Sequence, residues 1–332
     1  MVLLGAGSTI HANAPSSAEV TAHIVGLKNR VVKALVKGLS DQRGVDGFNF
    51  EYVLYALEEL DAYILRKRYP KSSDVLGGVL SAFTELLPEF QIFERKSLLM
   101  HRLAFVKELA SLFWSRTKAS SAAALTTFFN GLSSRFDLMV FTLNYDNLVD
   151  EACCWFDGFT LAGSGSKTYW SFDARRFRRD FIGGQRSLAH LHGSVHFGFA
   201  GGDQIVKFER PDDAIASLAS WPVNAPSPLI SGFKKEAKLV RDPTPFGYYY
   251  QAFVDAMLDT PRFVMAGYSG NDPHVTTWLF EFTRVHGSSS RAVTIDVVAP
   301  YAKAGPTLLP LTEGFPPNAS DLDRVIEYLD EV

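Results

Sequence analysis

The stretch Val2-Leu3-Leu4-Gly5-Ala6-Gly7-Ser8-Thr9 decides how the chain is read. Three apolar residues run into a glycine pair, the pattern of a buried strand that stops at a tight turn before a helix. A second apolar run, Phe136-Asp-Leu-Met-Val-Phe-Thr-Leu143, ends in Asn144-Tyr145-Asp146, and a helix is predicted from Leu148 to Trp155. Ser187 to Leu191 reads as a short strand leading into His192-Gly193-Ser194. Arg262 to Ala266 reads as another, followed by Gly267-Tyr-Ser-Gly-Asn-Asp-Pro273 and a helix to about His286. Ala292 to Val298 reads as the last strand, stopped by Pro300. Strands alternating with helices predict an α/β fold, a parallel sheet covered on both faces. Ligands bind at the carboxyl ends of such strands. Each polar motif falls at one of those ends.

Outside this core the patterning changes. From Ala18 to Phe136 the apolar residues recur at helical spacing, as in Phe50, Val53, Leu54, Leu57, Leu60 and in Leu103, Val106, Leu109, Ala110, Phe113. Residues 18–136 are therefore expected to be a helical insertion after the first strand, punctuated at Pro70 and Pro88. Residues 198–245 hold six prolines and weak periodicity, which predicts an irregular insertion or lid. A helix is expected from Phe246 to Leu258, and a tail over 301–332 with a short helix near Asp321 to Leu329. The core then comprises 1–17 and 137–300.

Composition narrows the function classes. Of 332 residues 47% are hydrophobic and 21% charged, enough apolar surface to offset the ordering entropy of a folded chain. Thirty-three basic against 36 acidic side chains leave a formal net charge of −3, with no overall attraction for nucleic acid or acidic membranes. The two cysteines, Cys153 and Cys154, are adjacent, which excludes a disulfide scaffold and a four-cysteine zinc site. The start of the chain lacks a signal-peptide pattern, and no run approaches the roughly 18 apolar residues of a membrane span. A cytoplasmic protein is expected.

Each motif has a chemical and a purely structural reading. Gly5-Ala6-Gly7-Ser8 suits a phosphate, because glycines admit close approach and the following amides point at negative charge. It also suits a ligand-free turn, since Ile10 stands where a dinucleotide fingerprint has its third glycine. Asn144 could orient a water and Asp146 stabilise a developing cation, or Asp146 caps the next helix. His192 is a candidate general base, and His190 and His192 alternatively form a buried pair satisfied by backbone. A metal site on His190, His192 and His196 is conceivable from spacing, but no metal is expected. Ser269 and nearby amides suit a phosphate, with Asp272 a natural N-cap before Pro273. Arg175, Arg176, Arg178 and Arg179 with Phe177 and Phe181 read as a solvated helix face sooner than a nucleic-acid surface.

Taken in order, the Gly-Ala-Gly-Ser turn, Thr142-Leu-Asn144-Tyr-Asp146, Leu191-His192-Gly193 and Gly267-Tyr-Ser269-x-x-Asp272-Pro273 resemble the sirtuin superfamily. The resemblance extends to the bacterial sirtuin-like NAD hydrolases of antiphage defence and spans Gly5 to Pro300. It implies a Rossmann-like sheet. It also implies that Gly5, Ala6, Gly7 and Ser8 contact the NAD pyrophosphate and that Asn144 and Asp146 line the nicotinamide-ribose pocket. His192 would be the catalytic base, Gly267, Ser269 and Asp272 would belong to the phosphate or ribose site, and the segment after Val298 would approach adenine. Protein-deacylating sirtuins carry a four-cysteine zinc module and a Gly-Ile-Pro-Asp-Phe-Arg-like stretch; here Ile10-His-Ala-Asn-Ala-Pro15 replaces the stretch. Water is then the expected acceptor.

The implied function is NAD glycohydrolysis, gated because unregulated NAD loss would kill the host. A homo-oligomer and a partner protein, such as a DNA-translocating ATPase or an Argonaute-like protein, come with the resemblance. A non-catalytic NAD or ADP-ribose sensor and an ADP-ribosyl or acyl transferase are the alternatives.

Overall fold

The structure, a computed structural model, describes residues 1–43, 49–68, 95–153, 155–182, 186–222, 225–230, 235, 239, 243–270, 272–295, 308–311 and 315–331. Pro70, Pro88, Cys154, Asn271 and the segment proposed to approach adenine, 298–307, lie outside the described residues.

Ten strands follow along these residues. They are β1 (Val2–Leu4), β2 (Met139–Thr142), β3 (Phe159–Gly163), β4 (Tyr169–Phe172), β5 (Ser187–His190), β6 (Phe197–Gly198), β7 (Val206–Phe208), β8 (Arg262–Ala266), β9 (Arg291–Ile295) and β10 (Leu308–Leu311). The α-helices are α1 (Gly7–Ile10), α2 (Ser17–Gly26), α3 (Arg30–Arg43), α4 (Phe50–Arg68), α5 (Arg95–Thr117), α6 (Ala123–Ser133), α7 (Leu148–Ala152), α8 (Ala174–Ile182), α9 (Pro211–Ser217), α10 (Tyr248–Asp259), α11 (Pro273–His286) and α12 (Ala319–Asp330).

Six strands make one parallel sheet in the order β10-β9-β8-β1-β2-β5. From β1 the chain steps to β2 and β5 on one side, then returns to β8, β9 and β10 on the other. This is the doubly wound order 3-2-1-4-5-6, and its direction reverses between β1 and β8. The fold is α/β and Rossmann-like, as the alternation of strands and helices predicts.

Both faces of the sheet are apolar, which is why its strands read as unbroken apolar runs. Leu188, Val140, Val2, Val264 and Val293 lie in register across five strands. They pack with Leu125, Phe128, Phe129 and Leu132 of α6 and with Leu322, Val325 and Leu329 of α12. On the opposite face Phe141 meets Phe253 of α10 and Phe181 of α8, and Phe263 meets Phe282 of α11.

Two compact units divide the chain. One comprises Met1–Ser16, Ala110–Ile230 and Lys235–Val332 and holds the sheet. The other is Ser17–Leu109 with Ser231–Lys234. Helices α2, α3 and α4 and the first part of α5 build it around Val20, Ile24, Leu35, Val53, Leu57 and Leu109, all buried. Asn29 caps α3 by accepting from the Val31 and Val32 amides. The helical character expected over 18–136 is present in the described residues, but Ala110 onward belongs to the unit with the sheet.

Three expectations need correction. Part of 198–245 is regular: β7 and α9 lie within it, and β3-β4-β7-β6 form a separate antiparallel sheet. These strands are too short to show alternation in the sequence. Ala292 to Val298 is not the last strand, because β9 ends at Ile295 and β10 adds an edge beyond it. Pro310 hides that strand from sequence reading, yet an edge strand tolerates a residue without an N–H. The segment taken as a tail also contributes α12 to the core.

Candidate functional site

The two glycine turns meet at the point where the sheet order reverses. Gly5 N donates to Ala266 O at 2.8 Å and Gly7 N to Gly267 O at 2.9 Å. Gly267 has φ +61°, and a Cβ there would lie 2.0 Å from Ser8 N. At Gly5 a Cβ would lie 2.5 Å from Gly267 O. The glycines thus permit one backbone to lie against another. Ser8 N and Thr9 N donate to Gly5 O and Ala6 O within the turn itself. Ala6 and Ser269 are the exposed tips of the two turns, with Gly7 and Gly270 half-buried.

Asn144 and Asp146 extend from β2 onto this turn. Asn144 Nδ2 donates to Ser8 Oγ at 3.1 Å and to Thr9 Oγ1 at 3.3 Å. Its Oδ1 is buried and has no hydrogen-bond partner among the described residues. Buried polar atoms are nearly always paired, so this acceptor calls for a donor beyond the described residues. Asp146 is saturated: Oδ2 accepts from Thr9 Oγ1 at 2.9 Å and Oδ1 from Leu148 N at 3.0 Å. It therefore binds the first amide of α7 and anchors Thr9 together, while the N-cap position itself is Asn147, without a side-chain capping bond. Burial raises its carboxyl to about 6, against the opposing pull of the two hydrogen bonds.

The three histidines after Ala189 separate. His190 Nε2 is 3.2 Å from Asp150 Oδ1, and His196 Nδ1 is 2.9 Å from Phe208 O. His192 turns elsewhere, its Nε2 3.1 Å from His274 Nε2 and 3.8 Å from Asp272 Oδ1. His190, His192 and His196 therefore do not converge on one ion. His192 is 3% exposed. Its carbonyl accepts from Ile230 N at 2.7 Å, and a Cβ on Gly193 would lie 2.1 Å from Pro228 O, so Pro228 to Ile230 cover this turn. The Tyr145 ring lies 6.4 Å from the His192 ring, linking the β2 and β5 ends.

Asp272 starts α11, but no side-chain capping bond forms. Its Oδ1 instead accepts from Lys235 Nζ at 2.6 Å. Burial alone would raise this carboxyl; the Lys235 ammonium and the nearby imidazoles hold it at about 2. His274 and Lys235 are the members of this site that sequence reading missed. The run Asp272-Pro273-His274 was a usable signal for the first, since it puts an imidazole two residues from a motif residue. Lys235 carries no such mark.

A buried ion network lies beside β5. Lys207 Nζ donates to Asp150 Oδ1 at 2.7 Å and to Asp157 Oδ2 at 2.5 Å. Despite burial, His190 and Lys207 hold Asp150 well below the usual carboxylate range. Elsewhere, a cavity of about 230 Å³ is lined by Val2, Phe136, Arg262 and Leu329 at the amino ends of the strands, away from all of these groups. The Arg175–Arg179 segment is a solvated face: Phe177 is buried beneath it, while Arg176 and Arg179 pair with Asp180.

Fold and site define a doubly wound α/β protein whose polar strand-end residues Ser8, Thr9, Asn144 and Asp146 gather beside the point where the strand order reverses. Compared with known proteins, the sequence matches no family model and no curated protein. No helix among the described residues is long and apolar enough to cross a membrane.

Proposed function

We propose that the strand ends at this reversal bind NAD as substrate and that the protein hydrolyses the bond between nicotinamide and ribose. The observation that carries this reading is Asn144, with its nitrogen spent on the Ser8 and Thr9 hydroxyls and its oxygen buried without a donor among the described residues. It stands beside the β1–β8 reversal, where doubly wound sheets take dinucleotides. A ribose hydroxyl or the attacking water supplies the missing donor. The exposed tips Ala6 and Ser269 meet the pyrophosphate, while Gly5, Gly7 and Gly267 hold the turns together and Ser8 ties Asn144 to them.

In the reaction the C1′–N bond breaks and its electron pair leaves with nicotinamide, which departs neutral. The developing charge on ribose is oxocarbenium-like. Water oxygen bonds to C1′, and its proton passes to His192. Ionised Asp272, 3.8 Å away, favours the imidazolium that results. Asp146 acts through Thr9 and Asn144, because both of its oxygens are occupied. Burial of His192 under Pro228 to Ile230 supports a gated activity, the covering segment withdrawing when an oligomer or partner protein forms. Depletion of NAD in antiphage defence and a cytoplasmic setting belong to the same proposal.

A second reading, a non-catalytic NAD or ADP-ribose sensor, is favoured by the same burial of His192. Incubation with NAD and separation of products decides between them. Nicotinamide with free ADP-ribose supports hydrolysis, labelled protein supports transfer, and intact but bound NAD supports sensing. Under conditions in which the wild type cleaves NAD, equal cleavage by Asn144→Ala and His192→Ala would reject the assigned roles.

A further inference from the structure

We propose that His192, His274 and Asp272 form a binding site for one divalent transition-metal ion of the zinc type. This inference does not rest on NAD hydrolysis. The donor set is two imidazole nitrogens and one carboxylate oxygen, all within 4.8 Å of one another, and both histidines are buried. Two imidazoles and a carboxylate suit zinc and its neighbours, and three protein ligands leave a position open for water.

The geometry favours an ion. The two Nε2 atoms face each other at 3.1 Å. With metal–nitrogen bonds of about 2.0–2.1 Å, an ion between nitrogens at that separation subtends an angle of about 98°, within the range of four- to six-coordinate sites. Asp272 Oδ1, at 3.8 Å from His192 Nε2 and within 4.8 Å of both imidazole donors, supplies the third position. The backbone at both histidines is fixed. Tyr250 donates its hydroxyl to the His274 carbonyl at 3.0 Å and is itself fixed by Trp278 Nε1 at 2.9 Å. His192 is anchored through the Ile230 amide. These bonds fix the main chain from which the two imidazoles project.

Lys235 is the resident cation of this site. Its ammonium lies 2.6 Å from Asp272 Oδ1, so an ion takes over the charge that Lys235 now neutralises. Removing the ammonium should therefore tighten metal binding, whereas removing a ligand should weaken it. Occupancy by a metal engages His192 Nε2 and excludes the base role proposed above, so zinc should inhibit NAD cleavage.

The test uses the full-length chain, freed of metal by chelator and dialysis, and titrated with Co²⁺ and with Zn²⁺. Expected are one ion per chain by calorimetry and the visible ligand-field absorption of low-coordinate cobalt. Asp272→Asn and His274→Ala should weaken binding by about 10–100-fold or more. Lys235→Met, which keeps the apolar stem, should strengthen it. No stoichiometric ion in the wild type overturns the proposal. So does binding that all three variants leave unchanged, which would put the ion on other residues. Should His274→Ala fail to fold, unchanged affinity in Lys235→Met has the same force. The readout is spectroscopic and uses no NAD; NAD cleavage measured separately in chelator shows whether the glycohydrolase reading stands.

Discussion

Asn144 Nδ2 donates to the Ser8 hydroxyl at 3.1 Å, tying the end of β2 to the turn that follows β1 across 136 residues of sequence. The bond orients the amide and leaves its oxygen without a hydrogen-bond partner among the described residues. Asn144→Ala removes that acceptor and two side-chain hydrogen bonds. Stability should fall by about 1–2 kcal/mol, while NAD binding weakens at least tenfold. Thermal melting and calorimetric titration with NAD measure the two effects. Undiminished affinity in a folded variant would move the ligand elsewhere.

The contact between the glycine turns should be intolerant of a methyl group. Gly267→Ala puts a Cβ 2.0 Å from Ser8 N on a backbone with φ +61°. The expected loss is about 2–4 kcal/mol, combining the left-handed penalty with overpacking. Gly202→Ala faces open space and serves as the control, with a change within about 0.5 kcal/mol. Urea denaturation of both variants compares them directly; equal midpoints would contradict the packing described here.

Asp146 should make the fold less stable as pH rises. Its carboxyl titrates at about 6 when folded and near 3.8 otherwise, so the folded state holds the extra proton between those values. Stability contributed by this group is full below pH 4 and declines until about pH 6, by on the order of 2–3 kcal/mol. Asp150 and His190 are the charged neighbours that act on it. Asp146→Asn can still accept from Leu148 N and meet Thr9 Oγ1, and should flatten this part of the profile. Melting temperatures of wild type and variant from pH 4 to 7 test it, and parallel slopes would count against the assignment.

Lys207 bridges two buried carboxylates; its loss removes the cation paired with Asp157 and leaves Asp150 with His190 alone. Lys207→Ala should destabilise by about 3–5 kcal/mol, because an unpaired charge would remain away from water. Lys207→Ala combined with Asp150→Asn should recover part of that loss. Chemical denaturation of the single and double variants measures the coupling. Additive losses would mean that the two side chains act independently.

His192→Ala should lower NAD cleavage by about 10²–10⁴-fold if the imidazole takes the proton from water. Nicotinamide release under activating conditions is the measurement. A change confined to KM would make His192 a binding group instead.

The reading of Val2–Leu4, Phe136–Leu143, Ser187–Leu191 and Arg262–Ala266 as strands needed only local information, and β1, β2, β5 and β8 lie within them. A strand covered on both faces is apolar at every position, and each of these ends at a glycine or a polar residue that stops it. The same logic located Ser8, Asn144, Asp146 and Asp272 at strand ends or helix starts. It did not reach β10, because Pro310 interrupts the pattern, nor β3 and β4, whose short antiparallel pairing depends on β7. It also assigned Asp272 to capping, the commonest local use of an aspartate before proline, whereas a buried ammonium captured the side chain.

Local patterning could place functional groups along the chain because strand ends and turns are properties of neighbouring residues. Which of those groups touch is a long-range matter. His192 meets His274 across 82 residues, and Lys235 meets Asp272 across 37. These pairings arise because sheet order brings β1, β2, β5 and β8 side by side, and because a buried charge or imidazole must find a partner wherever the fold supplies one.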